Sequence, residues 1–430
     1  MTLGEQELIV IKQLSSRLIE AQRKIRILDS IKWDHTIEND FFKKNAQSLP
    51  IVDKDYYKTR PLPFKPKEKK EEFRGILRDA QNTLGQYSHT TRLIKRQCEE
   101  YIKAINMLSA RGTPRFCELS NELFGSPDDA FYANGPRLSN LGIQAFNVLS
   151  ALDIQLQSDT DVKKYTPNEA QAILHERLSH FFNKDPGRVT VMVSDGMVAD
   201  ASAGADTIRL NESAMFSDRD IRYLEVHEGW VHVGTTLNGA AQPYCSFLSK
   251  GSPSCSVLQE GLAVITEVVT FSSYPGRMRR ITNRVVALDK IREGANFLDI
   301  YQYFLECGSE EKQSYKDTVR LFRGSVPDGG AFTKDISYAK GFILVYNFIR
   351  FAISQHRIDV IPLLFSGKLV LDDLPLLISM RDEGLLLPPI YLPPPFQDLA
   401  ALSTWMSFSL IFNKFDLSAV IKDFGFLLGS

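Results

Sequence analysis

Apolar residues recur at helical spacing from the start of the chain. Leu8, Ile11, Leu14, Leu18, Ile25 and Leu28 stand three, four or seven positions apart among Lys, Arg, Glu and Gln. This period predicts an amphipathic helix over about Glu5 to Leu28, and a second over about Glu71 to Ala110. Between them Pro61, Pro63, Pro66 and the run Lys65-Pro66-Lys67-Glu68-Lys69-Lys70 predict an extended connector near residues 50–70, its lysines solvated. Residues 1–115 thus read as a helical N-terminal region.

The pattern then shifts. Arg188 to Val193 and Thr207 to Leu210 are short and β-branched, which predicts a small sheet, and the second strand is a candidate to pair with an extended peptide. Helical patterns dominate after Ser217, and Pro393-Pro394-Pro395 opens an amphipathic C-terminal tail, 393–430. The expected fold class is α+β, mainly helical, with residues 116–392 forming one catalytic domain. The apolar stretch Leu399 to Phe412 is broken by Ser403, Thr404, Ser407 and Ser409 and falls short of the roughly 20 residues that span a bilayer, so no stable membrane insertion is expected.

Charge narrows the function classes. A net charge of −1 over 430 residues offers no global field for nucleic acid or an anionic membrane, so recognition must be local. The five cysteines include no CxxC pair, which points to reduced thiols rather than a disulfide framework or a cysteine-rich zinc finger. Two acids among the first seven residues stand where a secretion signal needs basic ones. A cytoplasmic location is the expectation.

Residues 227–232 read His-Glu-Gly-Trp-Val-His, an HExxxH pattern. Ser217 as a cap with Asp220 three residues on, and Asn238-Gly239 as a stop, predict a helix over about Asp218 to Leu237. The familiar zinc-peptidase spacing is HExxH, with its imidazoles four residues apart on one face. Five steps of a regular α-helix turn the second imidazole about 140° out of alignment. One extra residue taken up as a π-bulge would restore it, and Gly229 would ease the distortion.

The chain carries its own control, His-Glu-Arg-Leu-Ser-His at 175–180, in an amphipathic helix opened by the capping box Thr166 and Glu169. No third ligand on a matching helix accompanies that copy, and it reads as structural. The later copy is followed by Gln259-Glu260-Gly261-Leu262-Ala263, which opens another helical stretch. Catalytic zinc takes three protein ligands and leaves a position for water, so His227, His232 and Glu260 are candidate ligands of one Zn²⁺ ion. Gly261 and Ala263 would let the two helices approach closely. A buried unpaired Glu is costly, and ligation removes that cost. Solvent exposure is the competing reading for Glu260 and for Glu267, whose other role would be to orient a histidine through its second ring nitrogen.

These residues resemble a known family. His227-Glu228-xxx-His232-Val233, Asn238-Gly239, Gln242-Pro243 and Gln259 to Ala263 are similar to the QEGLA-motif proteins. That family comprises the bacterial flavohemoglobin expression-modulating proteins and the animal microtubule-associated tyrosine carboxypeptidases. The likeness continues through Arg284-Val285-Val286, Gly294-Ala295, Arg323-Gly324, Gly329-Gly330, Phe332 to Asp335, Tyr338, Gly341 and Gly367-Lys368, and spans roughly 120 to 392. The resemblance implies a zincin-like zinc metallopeptidase with His227, His232 and Glu260 as ligands and Glu228 as catalytic acid/base; the animal relatives remove the terminal tyrosine of α-tubulin. Two departures stand out: the bulky Trp230 between the histidines, and the inserted Ser325-Val326-Pro327-Asp328.

Amide hydrolysis at such a site needs Glu228 beside the metal, taking a proton from water and passing it to the leaving amine. A carboxypeptidase also needs a cation for the substrate's terminal carboxylate. Arg323 and Lys334 are the candidates, and Tyr338 is the candidate donor to the oxyanion; structural salt bridges and packing are the competing readings of all three. The expected partner is a protein or peptide with a free C-terminus. The rivals are an endopeptidase and a non-catalytic regulatory or interaction protein with a retained metal site.

Overall fold

The computed structural model describes residues 4–156, 162–184, 187–195, 197, 199–412, 414 and 416–424; the end of the expected C-terminal tail, 425–430, lies outside them. The first helix, α1, is Glu5–Gln22, followed by α2 (Ile27–Ile31), α3 (His35–Lys43) and α4 (Lys54–Lys58). It ends earlier than its apolar period suggests because Ile25, in the turn that follows, is still buried.

The lysine-rich run is not connector. Pro66 is the first residue of α5 (Pro66–Leu84), where its missing N–H costs nothing, and Lys65–Glu68 and Lys69–Glu72 pair across the first turns. Gly85, at φ 79°, ends α5, so the single helix expected over Glu71 to Ala110 becomes two, α5 and α6 (His89–Ser109). Helices α7 (Pro114–Phe124), α8 (Leu138–Gln155) and α9 (Pro167–Phe181) follow.

Strands β1 (Thr190–Ser194), β2 (Ala201–Ala203) and β3 (Thr207–Asn211) form one sheet in the order β1-β3-β2. β1 runs parallel to β3 and β2 antiparallel to it. Both edges of β3 are therefore occupied, and the expectation that Thr207 to Leu210 would pair with a peptide is corrected: β2, not β3, is an edge. Ile208 and Leu210 of β3 pack with Leu174 and Leu178 of α9.

The rest is helical: α10 (Asp218–Leu224), a π-helix (Glu225–Val233), α11 (Gly234–Ala240), α12 (Cys255–Val269), α13 (Pro275–Arg292), α14 (Phe297–Glu306), α15 (Glu311–Phe322), α16 (Ser337–Ser354), α17 (Leu374–Asp382), α18 (Pro394–Gln397), α19 (Leu399–Phe412) and α20 (Leu417–Phe424). The molecule is thus mainly helical with one small sheet. Thr333–Ser354 is long and apolar enough to cross a bilayer by length and composition alone. It packs instead along α12, where a Cβ on Gly261 would lie 2.3 Å from the Gly341 carbonyl oxygen. The small residue at 261 therefore serves α16, not the histidine-bearing helix. α19 is apolar on more than one face: Leu402 and Met406 are buried, while Trp405, Phe408, Ile411 and Phe412 are exposed.

The N-terminal helices share a core with the middle of the chain. Ile11, Leu14 and Leu18 of α1 and Ile94 and Ile105 of α6 bury in the cluster that holds Leu258 and Leu262 of α12. The inserted segment adds a polar tie, because the Tyr57 hydroxyl accepts from Trp33 Nε1 and Gly324 N and donates to the Ser325 carbonyl. The five cysteines are all unpaired.

Candidate metal centre

The π-helix takes up the odd spacing of the two histidines. Its bonds reach five residues back, as where the Gly234 N–H donates to the Gly229 carbonyl, so residues five apart come to one side. The His227 and His232 rings accordingly face each other, with centroids 4.7 Å apart and planes at 89°. The helix expected over Asp218 to Leu237 runs to Ala240, with all nine residues of the HExxxH region in π geometry. Gly229 has a packing reason: a Cβ there would lie 2.3 Å from Leu178 Cδ2. Leu178 belongs to the other HExxxH copy, which stays regular α-helix with His175 and His180 exposed. One copy of the motif thus packs against the other. Trp230 stacks on Phe181 at the end of α9, with centroids 5.4 Å apart.

Glu260, one turn into α12, reaches both imidazoles. Its Oε2 lies 3.2 Å from His227 Nε2 and 3.4 Å from His232 Nε2. Bonds of about 2.0–2.1 Å from a tetrahedral ion to N and O donors imply donor–donor edges of about 3.3 Å. Three donor atoms within 4.8 Å of one another, two of them imidazole nitrogens, therefore fit a divalent cation. Glu260 is 7% exposed and Glu267 is fully buried, so solvent exposure is excluded for both.

Glu267, two turns beyond Glu260, accepts from His227 Nδ1 at 2.7 Å, which leaves Nε2 for a metal. Arg277 of α13 holds Glu267 in turn, through Nε at 3.3 Å and a terminal nitrogen at 3.2 Å. Burial alone pushes the His227 imidazole down, but Glu260 and Glu267 outweigh it and raise it to about 9. Burial likewise pushes Glu260 up, and the two histidines bring it well below the usual carboxylate range.

Lys368, whose role the sequence did not suggest beyond its place in a shared Gly-Lys pair, spans the two elements that carry the donor cluster. Its Nζ donates to the His232 carbonyl at 2.9 Å and to Gln259 Oε1 at 2.8 Å, beside Glu260. Burial draws the Lys368 ammonium down to about 8. Asn238 and Gln242 are anchors of another kind: Asn238 bonds the backbone at Phe365, Ile390 and Tyr391, and Gln242 the backbone at Leu387.

Glu228 is adjacent in sequence but outside the donor set. Its Oε2 accepts from the Ala203 N–H of edge strand β2 at 2.8 Å, and it lines a cavity of about 110 Å³ together with His227 and Tyr338. The Tyr338 ring stacks on His227, with centroids 6.0 Å apart. Burial and Glu260 raise its hydroxyl far above the ordinary tyrosine value, so it remains a donor at neutral pH. Lys334 comes to the three-donor cluster rather than to this cavity, with its Nζ 3.6 Å from Glu260 Oε1. Arg323 lines neither: it is 8% exposed, lies over the Phe332 ring, and burial draws its guanidinium down to about 10. The cations that do line the cavity come from α13 and α15, among them Arg280, Arg284 and Arg320. For the three on α13 the sequence signals were the spacing Arg277, Arg280, Arg284, one face of a helix, and the place of Arg284 in the shared Arg284-Val285-Val286 run.

Comparison with curated proteins returns no match. A family profile does match, over residues 39–414, from α3 to just beyond α19 and so well into the N-terminal helices. Its description is MATCAP, microtubule-associated tyrosine carboxypeptidase, and by this match the chain belongs to that family.

Proposed function

We propose that this chain is a zinc-dependent carboxypeptidase that removes one residue from the C-terminus of a protein or peptide. Family membership supports the peptidase class, and the family's description makes a terminal tyrosine the first residue to test. One observation carries the reading: Glu228 stands in the cavity beside the three-donor cluster without joining it. A site that only stabilised the fold would have no use for a carboxylate there, which favours an enzyme over a scaffold.

His227, His232 and Glu260 would hold the ion, in a zincin-like arrangement whose two histidines come from one helix. Zinc so held supplies Lewis acidity and makes water more acidic. Glu228 takes the proton from the attacking water on its free oxygen, while Oε2 stays fixed by the Ala203 N–H. It then delivers that proton to the departing amine. The Tyr338 hydroxyl, protonated at neutral pH, donates to the developing oxyanion, and Lys334 steadies the second oxygen of Glu260. β2, as an edge strand, offers backbone groups to an extended substrate.

Metal content of the purified protein, with hydrolysis of C-terminal peptide libraries by wild type and Glu228→Gln, tests this. We expect one zinc per chain in both proteins, release of single terminal residues by the wild type, and a rate loss of at least about 10²-fold in the variant. Undiminished hydrolysis by Glu228→Gln, or a purified protein that binds no divalent metal, overturns the proposal.

A further inference from the structure

We infer that Arg284, assisted by Arg280 one turn before it on α13, binds the terminal carboxylate of the substrate. This rests on the carboxypeptidase reading and supplies the subsite that reading requires.

Arg277, Arg280 and Arg284 project from one face of α13 towards the cavity that His227 and Glu228 line. Their commitments differ. Arg277 is bound to Glu267 through two nitrogens, and Arg320 of α15 is bidentate to Asp335 at 2.7 and 3.1 Å. Those two cations are spent. Arg284 is not: its side chain is 13% exposed, and its nearest carboxylate oxygens, on Asp317 and Asp335, are 3.5 and 3.8 Å away. Both are long for a charge-assisted bond. Both acids also have nearer partners, Gln313 for Asp317 and Arg320 for Asp335. Burial, and then Arg320 beside it, push the Arg284 guanidinium below the ordinary arginine range. A planar fork of five donors, buried and loosely paired at a cavity wall, matches an incoming carboxylate bidentately. Arg280 sits exposed at the rim with one nitrogen on the Tyr274 hydroxyl, placed to meet the same anion first.

The reach suits a single residue. The Tyr338 ring lies 5.7 Å from the Arg284 guanidinium carbon and 6.0 Å from the His227 ring, so these two steps link the anchor to the metal ligand. One residue spans about 3.5 Å. With an ion pair of about 4 Å at one end and metal ligation of about 2 Å at the other, a substrate held by its last carboxylate covers on the order of 10 Å. The last peptide bond then falls at the metal site, and the anchor sets exopeptidase register. Neither Arg323, which does not line the cavity, nor Lys334, beside Glu260, meets this requirement.

The test uses full-length, zinc-loaded protein and a pair of peptides identical except for a free or amidated C-terminus. Wild type should cleave the free acid and spare the amide. Arg284→Met should raise KM for the free acid by about 100-fold, as loss of a buried charge-paired contact does, with kcat changed far less. Arg284→Lys, which keeps the charge and guards against misfolding but cannot bind bidentately, should raise KM by about 10-fold. In parallel, calorimetric binding of the two peptides to Glu228→Gln should favour the free acid, and the preference should shrink about 10-fold in Glu228→Gln/Arg284→Lys and vanish in Glu228→Gln/Arg284→Met. If wild type hydrolyses peptides while both Arg284 variants keep its KM and its preference for the acid, the assignment is wrong. If wild type hydrolyses nothing, the peptidase reading falls, and the binding arm alone judges the subsite: equal affinity for acid and amide rejects it.

Discussion

Glu267 shows how much one side chain outside the donor set contributes. Fully buried, it fixes the tautomer of His227 from one side and is itself held by Arg277 on the other. At the proposed zinc site, the isosteric change Glu267→Gln should weaken zinc binding by about 10- to 100-fold, measured by competition with a chromophoric chelator. Unchanged affinity would mean that the imidazole is oriented by its other contacts, among them the Tyr338 ring and Arg277. At this scale the clustering of His227, His232 and Glu260 was legible in the sequence, because few residue types ligate a metal and the chain has only 7 histidines. The anion-binding cations were not, because 51 lysines and arginines look alike until their acidic partners are placed.

Among the elements, the π-helix was legible only once a shared ligand was assumed: two imidazoles five residues apart can meet on one helix only if a turn is widened, and the copy at 175–180, with the same spacing, stays α. What no local pattern revealed is that α9, carrying the other HExxxH copy, lies against it through Leu178 and Gly229. Gly229→Ala should therefore cost about 1–3 kcal/mol of stability through overpacking, read as a lowered denaturation midpoint. Because the clashing atom ends a side chain, Leu178→Ala should recover part of that loss, making the double variant more stable than the sum of the single effects. Strict additivity would refute the contact. Helix ends were read less well than helices. Ile25 kept the apolar period beyond α1, and Pro66 after a lysine looked like a connector although proline is at home in a first helical turn.

On the scale of the whole molecule, stability acquires a pH dependence from ties between the N-terminal helices and the rest. Asp373, at the start of α17, is 7% exposed and paired with Arg96 of α6 at 2.8 Å. Burial outweighs Arg96 and pushes its carboxyl up to about 6. The folded state thus holds this proton more tightly than the unfolded chain, whose ordinary value is 3.8. Its contribution is fully present below that value and is lost as pH rises through about 6. A rise of about two units corresponds to at most about 3 kcal/mol. Asp373→Asn should flatten the stability profile between pH 4 and 6 in denaturant titrations, and an unaltered slope there would assign it to other groups.

The chain's own order of residues determined the helix-rich class, the small sheet, and which two histidines and which glutamate are candidates to share one ion. All of these follow from spacing along one segment or from donor chemistry. Tertiary structure alone decided that β3 is interior and β2 an edge, that Gly261 meets α16, and that Arg284 rather than Arg323 faces the cavity. Each of these depends on which distant segment arrives alongside, and so on which hydrogen bonds and charges are already satisfied when the chain is packed.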